Sequence, residues 1–292
     1  MVTFGFSVTT RGQSLRISYS GVAGQNLAIW VTYEAGLFKK YGLTPEMLMI
    51  AGGVTNLQAL MAGEIAFVYQ GGASPVQAMA QNADVTILAT AYGLMPYGIV
   101  TSKTISSAAD LKGKRIAVSR VGGIEETAIR FALDKLGVGG RNVTFIQTGA
   151  DPVRIAAVES GVASAAALAP PGLFAATARG LNLLTDLGTL NIRYPTSVIS
   201  ARKAALTTER PMAKRFLMAL VEGLSVYRQN KSLALQALQK YTKQTNGEIL
   251  SKSYDYFIKN TPVVPLSEAA AFENALPTDK PSERKAQSFY DD

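Results

Sequence analysis

Any polar chemistry in this chain of 292 residues proceeds without imidazole or thiol, because it contains neither histidine nor cysteine. That excludes zinc sites built on those ligands, cysteine nucleophiles, Ser-His-Asp triads and haem held by histidine. What remains are amides, guanidinium groups, phenols and carboxylates at the ends of short apolar runs. In AFVYQGGASP (Ala66 to Pro75) a buried-strand pattern stops at Gln70, Gly71 and Gly72, and a helix start follows at Ser74-Pro75. A glycine turn of this kind lets a small molecule reach backbone that a side chain would cover. Gln25 can donate and accept hydrogen bonds, and Arg120 can clamp a carboxylate or sulfonate with its planar fork.

Those groups need elements to aim them, and an internal repeat with an offset of about 98 residues supplies them twice. LRISYSG (Leu15 to Gly21) matches KRIAVSR (Lys114 to Arg120), each a strand ending in a small-residue loop. NLAIWVTYEAGLFKKYGL and ETAIRFALDKLGV are the helical patterns that follow, ending at Gly42 and Gly137 as C-cap glycines. MLMIAGG parallels TFIQTG, NLQALMAGEIA parallels VRIAAVESGVA with Gly63 and Gly161 as helix ends, and FVYQGG parallels AALAPP. Each half reads strand, helix, strand, helix, strand, helix, the alternation of a Rossmann-like lobe with a parallel sheet under helices.

In such sheets ligands bind beyond the carboxyl ends of the strands. The loops there are Gly21 to Gln25 with Val22, Gln70 to Gly72, Ser119 to Gly123 with Arg120 and Gly122, and Ala169 to Pro171 with Pro170. A ligand held between two facing lobes follows. Tyr97 to Ser102 and Pro195 to Ala201 read as strands that cross between the lobes, a two-strand hinge. Lobe 1 is thus expected over residues 14–98 and 197–276, and lobe 2 over 99–196. From residue 202 the pattern is helical, with Thr208 as N-cap of a helix through MAKRFLMALVEGLSVYRQN and further helices near 232–244, 247–259 and 267–276, packed on lobe 1.

Around these loops other readings compete. Asn26 suits an N-cap. Glu125 and Glu126 suit the first turn of a helix, where the macrodipole favours acid. Tyr92, Tyr97 and Tyr194 lie near the lobe junction and can stack on a planar ligand. Trp30 shares an apolar helix face with Leu27 and Val31 and belongs to lobe packing.

Hydrophobic residues make up 48% and charged residues 17%, which supports filled cores. The net charge of +8 is spread along the chain and not interleaved with aromatics, so a solvated basic surface is expected and nucleic acid is not. No run of about 18 apolar residues is present, since Val162 to Ala178 is broken at Pro170-Pro171. MVTFGFSVTTRGQS has neither the basic nor the long apolar region of an intact signal peptide.

YEAGLFKKYGLTPEML, NLQALMAGEIAFVYQGG, SAADLKGKRIAVSR and RPMAKRFLMALVEG, in that order, resemble the solute-binding proteins of ABC importers in the nitrate, taurine and sulfonate group, which include binders of thiamine-precursor pyrimidines. The resemblance covers roughly residues 14–276. It implies a type II periplasmic binding protein fold, α/β with two lobes closing over a small organic ligand. It also implies a periplasmic location, an ABC importer permease as partner and sole link to the membrane, a monomer, no cofactor, no metal and no catalysis. The ligand-contact positions expected are Gly21, Val22, Gln25, Gln70, Gly71, Gly72, Tyr92, Ser119, Arg120, Gly122, Gly123, Pro170 and Tyr194. Gly72→Val, and Gly122→Val in the matching loop, are expected to weaken binding with the fold mostly intact.

Two departures stand out. Glu125 occupies a place where similar proteins carry a hydroxyl, which argues against bare nitrate or sulfate, while the tyrosines favour an aromatic or heteroaromatic ligand. Relatives also continue past SFYDD. An enzyme on the same fold, a dehydratase or lyase of the menaquinone-pathway type, needs only carboxylate and polar groups. The effector domain of a transcription regulator is a weaker alternative, as no helix-turn-helix segment precedes residue 14.

Overall fold

A computed structural model describes residues 15–276 and 286–290. The N-terminal stretch read for a signal peptide and the last two residues lie outside it.

The first half builds β1 (Arg16–Tyr19), α1 (Leu27–Glu34), α2 (Leu37–Lys40), β2 (Glu46–Met49), α3 (Gly53–Met61), β3 (Phe67–Gln70), α4 (Ala73–Ala80) and β4 (Thr86–Leu94). The second builds β5 (Gly98–Thr101), β6 (Arg115–Val118), α5 (Ile124–Lys135), β7 (Thr144–Gln147), α6 (Asp151–Glu159), β8 (Ala165–Leu168), α7 (Gly172–Ala178) and β9 (Asn182–Asp186). β10 (Arg193–Ala201) then rejoins the first sheet, whose order is β2-β1-β3-β10-β4; the other is β7-β6-β8-β5-β9. β1 to β3 and β6 to β8 pair in parallel within their sheets.

Two expectations are corrected. The sheets are mixed, because β10 runs antiparallel to β3 and β4, and β5 antiparallel to β8 and β9. The expected crossing strands also do not bridge the lobes. β5 belongs wholly to the second sheet and β10 to the first, and the chain passes between them in the connections after β4 and after β9. β5 and β10 each bond to neighbours on both sides within their own sheet, so neither is free to cross and the bend falls to the linkers.

Period-two burial explains why the central strands read as continuous apolar runs. Ile99 and Ile116 point into one core with Ala165 and Ala167, whereas Val100, Ala117, Ala166 and Leu168 point into the opposite one. The C-cap reading holds, with Gly42 at φ 70° and Gly137 at φ 75°, a backbone region that L side chains adopt at a cost. The first helix breaks between α1 and α2, contrary to its single reading.

The tail forms α8 (Lys203–Gln229), α9 (Lys231–Thr242), α10 (Gly247–Ile258) and α11 (Ala269–Glu273). Thr208 does not cap, since the helix already starts at Lys203 and Glu209 departs from helical dihedrals just ahead of Pro211. α8 and α9 pack on α1, burying Trp30 completely with Tyr241 stacked on it at 4.7 Å, as the lobe-packing reading requires. At Gly223, α8 comes so close to α1 that a methyl group would overlap Thr32. α10 does more than cover the first lobe: it also touches α7 of the second.

Candidate functional site

The carboxyl ends of β1 and β3 face those of β6, β7 and β8, and the two sets of loops touch. Gly24 N–H donates to Pro170 O at 3.0 Å on one flank, with Phe257 of α10 pressed against Gly24. On the other flank Arg120 lies over Gly52, its Nη1 2.5 Å from where a Cβ would stand. Behind the cleft Gly72 N–H donates to Pro195 O at 2.7 Å, beside the buried phenols of Tyr97 and Tyr194.

Gln70 ends β3 at 1% exposure, and neither Nε2 nor Oε1 of its amide has a partner among the described residues. Oε1 of Gln25 is likewise buried and unpartnered, although the Gln25 carbonyl accepts from Tyr69 Oη at 2.8 Å and Ser197 Oγ at 3.2 Å. The turn carrying Gln25 is therefore fixed by its backbone while its amide is left over. A buried polar atom without a partner costs about 1–3 kcal/mol, so native chains rarely tolerate a group of them without a function. Asn26, expected as an N-cap, instead donates from Nδ2 to Gly21 O at 3.0 Å and ties down the same loop.

The second lobe contributes a charged floor that sequence reasoning missed in part. Arg154 of α6, with 4% of its side chain exposed, donates to Gly149 O at 2.8 Å, is bonded to Asp151 and lies 3.7 Å from Glu125 Oε1 of α5. Its Nε has no partner. Burial pushes the Asp151 carboxyl up, Arg154 pulls it down, and the Glu125 charge pushes it up again. The Tyr97 phenol is raised well above its usual value, first by burial and next by Glu125. The available signal was an arginine standing in the apolar stripe Arg154, Ile155, Ala157 and Val158, all buried.

Other expected positions separate. Glu126 does serve its helix, accepting from Gly122 N–H at 2.8 Å and pairing with Arg130, whereas Glu125 turns to Arg154 and not merely to its own helix end. Gly21, Val22, Gly71, Ser119 and Gly123 lie in the facing loops. Tyr92 is packed edge-on to Phe257 at 5.3 Å, beneath α10, and its ring is committed to that cluster. Tyr194 meets Phe131 edge-on in the core. Both rings are buried, each with one edge-on neighbour.

Two cavities lie elsewhere. One of about 300 Å³ is lined by Thr90, Asn191, Arg193 and Lys259, and one of about 290 Å³ separates α7 from α10. Near the latter, Tyr256 Oη donates to Asp186 Oδ1 at 2.8 Å and joins the tail to the second lobe. Among the described residues no helix is long and apolar enough to cross a membrane, and no group of acidic side chains is arranged to hold a metal.

The family model described as "NMT1/THI5 like" matches residues 24–232. No curated protein matches the chain in sequence. Among solved structures, a protein from Bordetella bronchiseptica RB50 superposes with a TM-score of 0.81 at 18% identity, covering 95% of this chain and 94% of that one. The periplasmic aliphatic sulphonate binding protein SsuA from Escherichia coli gives 0.73 at 21%, covering 90% and 85%. The periplasmic nitrate-binding protein NrtA from Synechocystis PCC 6803 gives 0.69 at 20%, covering 82% and 69%. The chain thus has the two-lobed fold of these binding proteins.

Proposed function

This chain belongs to the NMT1/THI5-like family, and from that premise we propose that it is a non-catalytic receptor that captures a small organic solute between its lobes and hands it to an ABC importer permease. The observation that carries the reading is the Gln70 amide, buried in the cleft with both polar atoms unpartnered. Polar atoms kept dry and unpaired between two lobes are what a bound solute would satisfy, and a solute touching both lobes favours the closed state. The resemblance in fold to sulphonate-binding and nitrate-binding periplasmic proteins supports it, as does the repetition of the loops on both sides. The receptor works outside the cytoplasm as a monomer, with Gln25, Gln70, Gly72, Gly123 and Pro170 around the solute, Arg120 at the mouth, and the lobes dividing in the connections after β4 and after β9.

One observation favours a second reading, a lyase or dehydratase: Asp151, half-buried and bonded to Arg154, has a pKa raised chiefly by desolvation, the profile of an acid-base group. A single experiment separates the two. Thermal unfolding is screened against nitrate, alkyl sulfonates, aromatic carboxylates, pyrimidines and flavin-like compounds, and each stabilising compound is recovered and weighed by mass spectrometry. At about 100 times its dissociation constant a ligand adds roughly 2.7 kcal/mol of stability. Recovery unchanged supports the receptor; consumption makes the chain an enzyme.

A further inference from the structure

We propose that the solute carries a cationic, N–H-rich head, an ammonium, guanidinium or amidinium, seated between Glu125 and Gln70. The inference rests on the cleft being a solute site and concerns only which charge it takes. The floor sets two carboxylates, Glu125 and Asp151, against one guanidinium, Arg154. Arg154 is engaged by Asp151 and by the Gly149 carbonyl, and its 3.7 Å approach to Glu125 is too long for a hydrogen bond. Glu125, with 12% of its side chain exposed, is ion-paired with Arg154 but not hydrogen-bonded to it, so it keeps acceptor capacity, and two carboxylates sharing one guanidinium leave the floor with one net negative charge.

Across the cleft the unpartnered Gln70 amide and Gln25 Oε1 add two more acceptors against one amide donor. Arg154 Nε is the donor left on the floor. Arg120 is exposed and lies over Gly52 at the mouth, and Glu126 is spent on Arg130 and the Gly122 N–H. Tyr97 and Tyr194, the titratable groups at the back, are held neutral by burial. An oxyanion here would meet Glu125 with like charge. A planar N–H-bearing cation would be neutralised by it and would donate to Gln70 Oε1 and Gln25 Oε1.

Pairs of probes with one shape and opposite charge test this on the full chain: guanidinium against nitrate, and benzamidinium against benzoate. Binding is read by calorimetry and closure by small-angle scattering. The expected result is that each cation binds at least about tenfold tighter than its paired anion, and that Glu125→Gln lowers cation affinity by about tenfold or more with an unchanged circular dichroism spectrum. Anions that bind tighter than the cations, with affinity kept or raised in Glu125→Gln, would overturn the charge assignment and leave the receptor reading standing. Absence of cation binding at millimolar concentration would also overturn it. If none of the four probes nor any compound of the wider screen compacts the protein, the receptor reading falls as well.

Discussion

Replacing Gln70 by methionine should push stability and affinity in opposite directions. Methionine is nearly isosteric with glutamine and unbranched, so it fills the end of β3 without disturbing the Val198 pairing. It removes two buried, unpartnered polar atoms. Each such atom costs about 1–3 kcal/mol, and about 1 kcal/mol of the total is returned to imperfect packing, so the ligand-free variant should gain roughly 1–5 kcal/mol. Binding should lose one or two hydrogen bonds, about 1–3 kcal/mol, which is roughly a 5- to 150-fold rise in Kd. Urea unfolding followed by the fluorescence of Trp30 reads the first quantity, and calorimetry with any solute found by screening reads the second. A ligand-free Gln70→Met protein destabilised by more than about 1 kcal/mol would refute the reasoning, because the amide would then be part of the lobe's own scaffold.

The expectation that Gly72→Val spares the fold is corrected by the structure. A Cβ there would stand 2.7 Å from Pro195 Cγ and 2.8 Å from Pro195 O, so valine should cost about 1–3 kcal/mol by overpacking and disturb β10 as well as the site. Gly122→Val meets nothing within 4 Å but would force a β-branched residue to φ 78°, costing about 1–3 kcal/mol of backbone strain; equal melting temperatures for either variant and the parent would contradict this. Gly223→Ala should lower stability by about 1–3 kcal/mol through its clash with Thr32 while leaving solute affinity unchanged, and a shift in Kd would show that helix packing behind the first lobe reaches the cleft. The Asp186 carboxyl is raised above 3.8 chiefly by burial, against the bonds from Tyr256 and Gly188. Its contribution to stability is therefore fully present below pH 3.8 and is lost as pH rises through the raised folded value. Asp186→Asn should gain on the parent in urea unfolding between acid and neutral pH, and a relative loss would reverse the assigned direction.

Much of this was legible because it is periodic. β1, β3, β6 and β8 fall where the alternating runs put them, and both glycine-ended helices close as expected. Gln25 and Gln70 were visible as the polar residues at strand ends. What escaped was whatever depends on contact between distant segments. β4 and β9 sit among other apolar stretches and become strands by pairing with β10 and β5, which arrive from across a crossing. Asp151 and Arg154 read as an ordinary helix start and gained their meaning only when Glu125, more than twenty residues earlier, was brought beside them. Tyr92 and Tyr194 were chosen for position near the junction, but ring contacts within the core decide their use.

The distribution of unpaired polar atoms explains how the fold couples capture to closure. Within the first lobe some buried polar groups answer one another, Ser18 donating to Asn56, Asn56 to Ile50 O and Thr32 to Ala28 O, while Trp30 Nε1 and Ser200 Oγ stay unpartnered in its core. The hydroxyls of Tyr92 and Tyr227 have Asn260 and Thr261 close enough to lower their pKa against the rise from burial. Gln25, Gln70 and Arg154 differ in position, since their unpaired atoms belong to the loops and helices at the facing ends of the two lobes. Opening the lobes would return those atoms to water, and closing on a solute would give them partners, whereas closing without one leaves the desolvation uncompensated. The same atoms thus penalise unliganded closure and reward liganded closure. Neutralising the cleft's polarity through Gln70→Met should accordingly shift the ligand-free protein toward the closed form, a smaller radius of gyration in small-angle scattering, and so weaken the distinction between the loaded and unloaded states that a permease would read.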